Sequence, residues 1–338
     1  MKIKKLITLN CLLLSAAIGC AAPAFQITFR VVDDFGRPVE GATVGVATFE
    51  RTEIKSGEGF GEDIYKNVDV VTDTNGVAMI ESTSPHPNIR YGIHTKSGYY
   101  PAEGGNDYRF KESSNGSWQP WNPTVELVLK PVVNPVPMYD GALRDRKVPV
   151  EGKPVGFDLM KNDWVAPYGK GATADFLFQL DAAPEKTVTN WYGTSPRPRP
   201  VRDNKLTVSF SSDGDGIQTV LVPKAGRSEL RLPRQAPADG YEPVLVKHDY
   251  DEITGTQKEN TLVQHHSDFQ PDGNYFFRVR TKKDAQGNIV SALYGEIHGD
   301  FNAVHGGGIG STLSFSYHLN PTANSQNMEF DPQRNLLK

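Results

Sequence analysis

The chain has 338 residues, room for about two domains at the usual ~150 residues each. Hydrophobic residues make up 38% and charged residues 22%, with 32 glycines and 24 prolines, a turn-rich but globular composition that excludes collagen, coiled coil and a polytopic membrane protein. The net charge of −4 offers no basic footprint, so no nucleic-acid partner is expected.

Residues 1–24 predict a secretory signal peptide. Lys2, Lys4 and Lys5 give a positive start, and Leu6–Ile18 is apolar apart from Thr8, Asn10 and Ser15. As a helix that run rises about 20 Å, short of a hydrocarbon core of roughly 30 Å. Two exits compete. Ala22-Pro23-Ala24 is a small-residue cleavage site that would leave Phe25 first. Ala17-Ile18-Gly19-Cys20 resembles a bacterial lipobox, with Ala17 where leucine is usual, and would make Cys20 a lipid anchor, the only membrane attachment expected. Cleavage removes three lysines and no acid, taking the net charge from −4 to −7. It also removes Cys11 and Cys20, unless the latter is the anchor, so the exported body is expected to rely on core burial without disulfides.

From Phe25 onward short β-rich runs alternate with turn clusters, which predicts an all-β chain of two sandwich domains. Phe25–Val32 alternates apolar and polar residues, Asp33–Gly36 is a turn, and Ala42–Phe49 is a second strand. Glu50–Tyr65 is expected to be an exposed loop. Val68–Thr72 and Val77–Glu81 flank Asp73-Thr74-Asn75-Gly76, read as a hairpin turn. Tyr91–Lys96 and Thr124–Leu129 complete the first set.

The run FRVVDDFGRPVEGATVGV, followed by VVTDTNGVAMI, resembles the carboxypeptidase regulatory-like domain, a transthyretin-like β-sandwich of secreted bacterial proteins. The matching residues are Asp34, Gly36, Pro38, Val39, Gly41, Ala42 and Val44, then Thr72, Asp73, Asn75 and Gly76. Bacterial Ig-like domains carry a similar pattern, so both superfamilies stay open. The resemblance spans residues 25–130 and implies a fold with no catalytic residue: a spacer, a folding partner, or a protein- or sugar-binding module.

Residues 131–137, with three prolines, read as a stiff linker. Residues 138–338 resemble no known family but read as β, as a larger antiparallel sandwich or jelly roll. Expected strands are Ala174–Leu180, Leu206–Ser211, Gly216–Val222, Glu242–Asp249, Tyr275–Thr281, Ile289–His298 and Ser311–Leu319. Ser195–Pro200 is expected to be an exposed proline-rich loop carrying Arg197 and Arg199, and the tail after Pro321 to pack as an irregular strap or fray.

The final hairpin carries the most chemistry. Leu293, Ile297, Phe301, Leu313, Phe315, Tyr317 and Leu319 fall on one face if the strands pair across Asn302–Gly310. Tyr294, Glu296, His298, Asp300 and His318 then share the other face, with His305 in the connecting loop. Glu296, His298 and His318 are candidate ligands for a divalent metal such as zinc, and the wider set could hydrogen-bond a glycan. The opposing reading is a solvated sheet face, the default for antiparallel sandwiches.

Three further clusters are weaker. His265 and His266 could share a metal only in a loop, which the following Pro271-Asp272-Gly273 favours. Asp213-Gly214-Asp215-Gly216 begins like a calcium loop but lacks the distal acid that closes one. Trp118 and Trp121, if exposed, would stack on sugar rings or anchor a partner. No P-loop, G-x-S-x-G, H-E-x-x-H or C-x-x-C is present. The expectation is an exported bacterial protein, periplasmic, outer-surface or extracellular, serving without catalysis or cofactor as a binding or structural module for a polysaccharide or envelope protein. The alternative is a metal-dependent or glycan-acting hydrolase using zinc or calcium on the polar face.

Overall fold

A computed structural model describes residues 22–54, 61–94, 96–102, 105–182, 186–192, 195–222, 228–257, 260–270, 272–306 and 310–337. The expected signal peptide, including the lipidation candidate Cys20, lies outside the described residues apart from its last three positions. Among the described residues every regular element is a strand. Two compact units emerge. Residues up to Val31, Pro38–Ile93 and Gly105–Leu127 form the first, and Val32–Arg37, His94–Gly104 and Val128–Lys338 the second.

The first nine strands are β1 (Ala24–Asp33), β2 (Thr43–Ile54), β3 (Gly61–Val71), β4 (Val77–Thr83), β5 (Asn88–Ile93), β6 (Asn106–Arg109), β7 (Glu112–Ser114), β8 (Ser117–Gln119) and β9 (Thr124–Leu129). One sheet runs β4-β1-β8-β7 with β9 also on β1, and the other β3-β2-β5-β6. The alternation seen in the sequence builds the core. Phe25, Ile27, Phe29 and Val31 of β1 are buried, as are Val44 and Val46 of β2, and Phe29 meets Tyr91 of β5 at 5.3 Å.

One turn recurs as Asp-x-x-Gly-x. At Asp33, Asp73 and Asp284 the side-chain Oδ1 accepts the backbone N–H groups two and four residues on, while the Asp carbonyl accepts the glycine N–H. At Gly76 the requirement is double. Its φ is +72°, and a Cβ there would lie 2.3 Å from the Val31 carbonyl oxygen. Asp73–Gly76 is therefore no hairpin. It carries the chain from β3 in one sheet to β4 in the other. The expected loop Glu50–Tyr65 is likewise mostly strand: β2 and β3 continue as a paired ribbon to Ile54↔Gly61, past a register shift between Phe49 and Arg51.

The second unit holds β10 (Val136–Lys147), β11 (Val155–Asp158), β12 (Asp163–Trp164), β13 (Phe176–Ala182), β14 (Lys186–Tyr192), β15 (Ser195–Val201), β16 (Asp203–Ser209), β17 (Gly216–Leu221), β18 (Val244–Gln257), β19 (Asn260–Ser267), β20 (Gly273–Lys283), β21 (Ile289–Gly306), β22 (Gly310–Leu319) and β23 (Phe330–Asn335). Two six-stranded sheets, β17-β20-β21-β22-β10-β23 and β12-β11-β13-β16-β18-β19, enclose one apolar core. Phe176 meets Phe277 at 5.1 Å and Phe178 meets Phe315 at 5.3 Å across it. Leu293, Ile297, Phe301, Leu313, Phe315, Tyr317 and Leu319 all join this core. Gly295 lets the Phe277 ring lie against the sheet, since a Cβ there would fall 2.2 Å from it.

The opposite face of β20–β22 is solvated at one end only, where Asn302, Val304 and Ser316 are exposed, and covered at the other. A layer from Leu230, Leu232, Ala236, Met328 and Phe330 covers that end, so Ala292 to Ile297 are buried on both sides. The tail after Pro321 is part of this layer and adds β23, parallel to β10. The proline run 131–137 is tied down: Pro131 bridges Tyr99, Val132 donates to the Gly98 carbonyl, and Val136 opens β10.

Three further expectations differ from the structure. Ser195–Pro200 is strand β15, paired with β14. Its prolines alternate with Arg197, Arg199 and Val201, so the residues without N–H groups all point to one edge and the ladder uses the others. His265 and His266 lie in β19, not in a loop, and so point to opposite faces. Asn302–Gly310 is mostly paired strand, with β21 and β22 in register to Gly306↔Gly310.

Candidate functional site

Glu296 and His298 sit two residues apart on β21, so they share a face. His318 of β22 is the direct cross-strand partner of Glu296, and Asp140 of β10 is the partner of His318. Three adjacent strands inside one sheet therefore bring these side chains together. His298 Nε2 is 2.9 Å from Glu296 Oε1, and His318 Nδ1 is 3.3 Å from the same oxygen. On its far side, His318 Nε2 lies 3.6 Å from Asp140 Oδ1. Among the described residues this is the group whose ligating atoms all fall within 4.8 Å of one another.

Glu296 is fully buried, and the side chains of His298 and His318 are 10% and 9% exposed. Burial works to raise the Glu296 pKa, but attraction to His298 and His318 and the hydrogen bond with His298 outweigh it and hold it down to about 2. The group is thus a carboxylate at neutral pH. Its second oxygen, Oε2, has no hydrogen-bond partner, and neither has His318 Nδ1. At 3.3 Å that nitrogen is near enough to Oε1 for Coulomb attraction but is not aligned for a hydrogen bond. The Phe330 ring closes the cluster, stacked on the His318 ring at 4.0 Å and 7°. Tyr100 anchors that ring in turn by donating its hydroxyl to the Phe330 carbonyl at 2.7 Å.

The other nominated residues do not join this cluster. Gly299, with φ +81°, and the register shift between His298 and Asn302 break the alternation. Asp300 therefore turns to the core side, where it accepts from Lys247 Nζ at 3.0 Å, from the Tyr275 hydroxyl and from the Gln270 N–H. Tyr294 keeps the expected face but packs with Phe276, Leu232 and Met328. His305 contacts Ser311 Oγ at 2.9 Å. In the first unit Trp118 is partly buried and donates its indole N–H to the Ser84 carbonyl, whereas Trp121 is 42% exposed. His265 pairs with Asp251 at 3.0 Å and His266 with Glu252 at 3.2 Å. Asp213 binds Lys283, and Asp215 is buried and accepts the N–H groups of Arg280 and Thr281, which is turn anchoring.

Two features carry no signal in the motifs. Arg280 holds Asp175 through two hydrogen bonds, at 2.7 and 2.9 Å, and Asp158 at 3.1 Å. Charged residues inside otherwise apolar strands, as in Tyr-Phe-Phe-Arg-Val-Arg, were the available clue. The second is a groove of about 510 Å³ in the second unit. Phe269 and Phe301 form apolar parts of its wall, and Asp203, Asn204, Asp249 and Asn302 line it with polar atoms. His248 Nε2, 2.7 Å away, fixes Asp203, and His265 Nε2 lies 3.3 Å from Asp249.

No known protein family and no curated protein matches the sequence. Among solved structures, the chain is similar to the Bacillus anthracis TIE protein at 16% identity and TM-score 0.23, over 57% of this chain and 29% of that one. A Streptococcal ancillary pilin aligns at 11% identity and TM-score 0.22, over 87% and 58% of the two chains. BcpA, the major pilin subunit of Bacillus cereus, aligns at 10% and 0.22, over 90% and 99%. The chain thus spans under a third of the first protein's length. At these scores the all-β assignment rests on the strand pairing described above, and the likenesses add no functional argument.

Proposed function

We propose that the protein is an exported bacterial β-sandwich module that binds envelope polysaccharide and performs no catalysis. The reading keeps the signal peptide at residues 1–24, the carboxypeptidase regulatory-like or Ig-like identity of residues 25–130, and either cleavage before Phe25 or lipidation at Cys20. The observation that carries it is the closure of the Glu296-His298-His318 cluster. A metal-dependent hydrolase must bring the scissile bond to its ligand set, and a catalytic metal keeps one open position for water or substrate. Here Phe330 is stacked on His318, and none of the three ligand side chains is more than 10% exposed.

The groove beside β16, β18 and β21 is the proposed binding surface. Its carboxylates and amides match the hydroxyl pattern of a sugar chain, and the partly exposed Phe269 ring matches the apolar face of a sugar ring. The test is an array of bacterial envelope polysaccharides probed with the purified chain. Binding should fall about tenfold on Asn302→Ala, the loss of roughly one hydrogen bond, and be unchanged in Glu296→Gln. No polysaccharide bound, or a glycosidase or esterase turnover that Glu296→Gln abolishes, would overturn the reading.

A further inference from the structure

We propose that Glu296, His298 and His318 hold one divalent transition-metal ion of the zinc class as a structural site that ties β21 to β22 beneath Phe330. The three residues lie outside the lining of the groove, and metal content is read separately from polysaccharide binding.

Geometry comes first. Zinc bound at about 2.0–2.2 Å to tetrahedral ligands sets those ligands about 3.3 Å from one another. Glu296 Oε1 lies 2.9 Å from His298 Nε2 and 3.3 Å from His318 Nδ1, so two of the three ligand spacings are within a few tenths of an ångström of that value, and all lie within 4.8 Å. The ligands stand on adjacent strands in fixed register, which holds them in place before any ion arrives.

The unmet polar atoms come second. Glu296 Oε2 and His318 Nδ1, atoms of two of the three ligand residues, are both buried without a hydrogen-bond partner. A buried carboxylate oxygen and imidazole nitrogen left unpaired in one cluster are lone-pair donors whose missing partner a cation would supply. Asp140 is the outer neighbour: its Oδ1, 3.6 Å from His318 Nε2, lies beyond hydrogen-bond length but its charge favours the N–H at Nε2, which leaves Nδ1 as the ligand lone pair. Two imidazoles with one carboxylate suit zinc and its borderline neighbours, whereas calcium takes six to eight oxygens. His298 also lines a shallow surface depression together with Arg144, Asp145 and Asn302.

The test is the metal content of the full chain, stripped with a chelator and then dialysed against zinc. About one equivalent should be retained per chain, with a higher thermal midpoint. Cobalt in place of zinc should give the visible bands of a tetrahedral nitrogen–oxygen site. Glu296→Gln and His318→Ala should each weaken binding by more than about 100-fold, and Asp140→Asn by roughly 10–100-fold, the usual effect of an outer partner. His265→Ala, an exposed histidine also set among carboxylates, should bind as the unaltered chain does. A stripped chain that takes up no stoichiometric zinc overturns the proposal. So does zinc retained at full affinity by both Glu296→Gln and His318→Ala. If His318→Ala does not fold, Glu296→Gln and the cobalt spectrum of the unaltered chain still decide.

Discussion

Replacing Arg280 with methionine keeps the aliphatic stem of the side chain, again places a non-glycine residue at the φ of +55°, and removes the guanidinium. That group satisfies Asp175 through two hydrogen bonds and Asp158 through one, and the two carboxylate side chains are 0% and 4% exposed. Removing one member of a buried ion pair costs roughly 3–5 kcal/mol, because the remaining charge is left in a medium that cannot solvate it. Arg280 keeps 25% of its side chain in water, so screening favours the lower end, about 3 kcal/mol. In a domain of about 200 residues each kcal/mol moves the melting midpoint by roughly 2–4 °C, which gives a drop of about 6–12 °C in the second unit's transition. Scanning calorimetry of the full chain measures it. Adding Asp175→Asn to the Arg280→Met background removes one stranded charge and should recover at least about 1 kcal/mol. A drop under about 2 °C, or a double variant weaker by the sum of both single losses, would refute the reasoning.

Gly76→Ala should destabilise the first unit by more than about 2 kcal/mol, since left-handed strain of about 1–2 kcal/mol is joined by a 2.3 Å contact with the Val31 oxygen. Gly36→Ala, at φ +79° with no atom within 4 Å, should cost the strain alone, and equal losses in thermal melts would discard the steric argument. Tyr317→Phe should lower the urea midpoint by about 1–2 kcal/mol of stability, because it leaves the buried Leu159 carbonyl without its 2.5 Å donor; an unchanged midpoint would contradict this. Stability should also fall in acid. Burial works to raise the Glu329 pKa, but the N–H groups of Asn134 and Val133 and the Arg234 guanidinium outweigh it and hold that carboxyl below 4.5. A depressed folded-state pKa means stability that is complete above the unfolded value and lost as pH falls through the folded one. Urea midpoints titrated downward from pH 7 should therefore decline below about pH 4.5, and Glu329→Gln should flatten part of that slope.

The residue pattern alone determined the fold class and the core wall. Alternation with period two is a local property, so the face shared by Leu293, Ile297, Leu313, Phe315 and Tyr317 follows from spacing. The turns at Asp33 and Asp73 are local too, each closed by its own side chain. Whether a turn joins neighbours in one sheet or crosses between sheets depends on which distant strands pair, and so Asp73–Gly76 reads as a hairpin in the sequence alone. The same limit separates the candidate site from its setting. Spacing placed Glu296, His298 and His318 on one face, but the bulge at Gly299 sent Asp300 to the other side. The layer carrying Phe330 then turned an expected wet surface into a closed, buried cluster. Burial there is decided by segments over a hundred residues apart in sequence, Tyr100 and Phe330 among them, and only the tertiary fold brings those together.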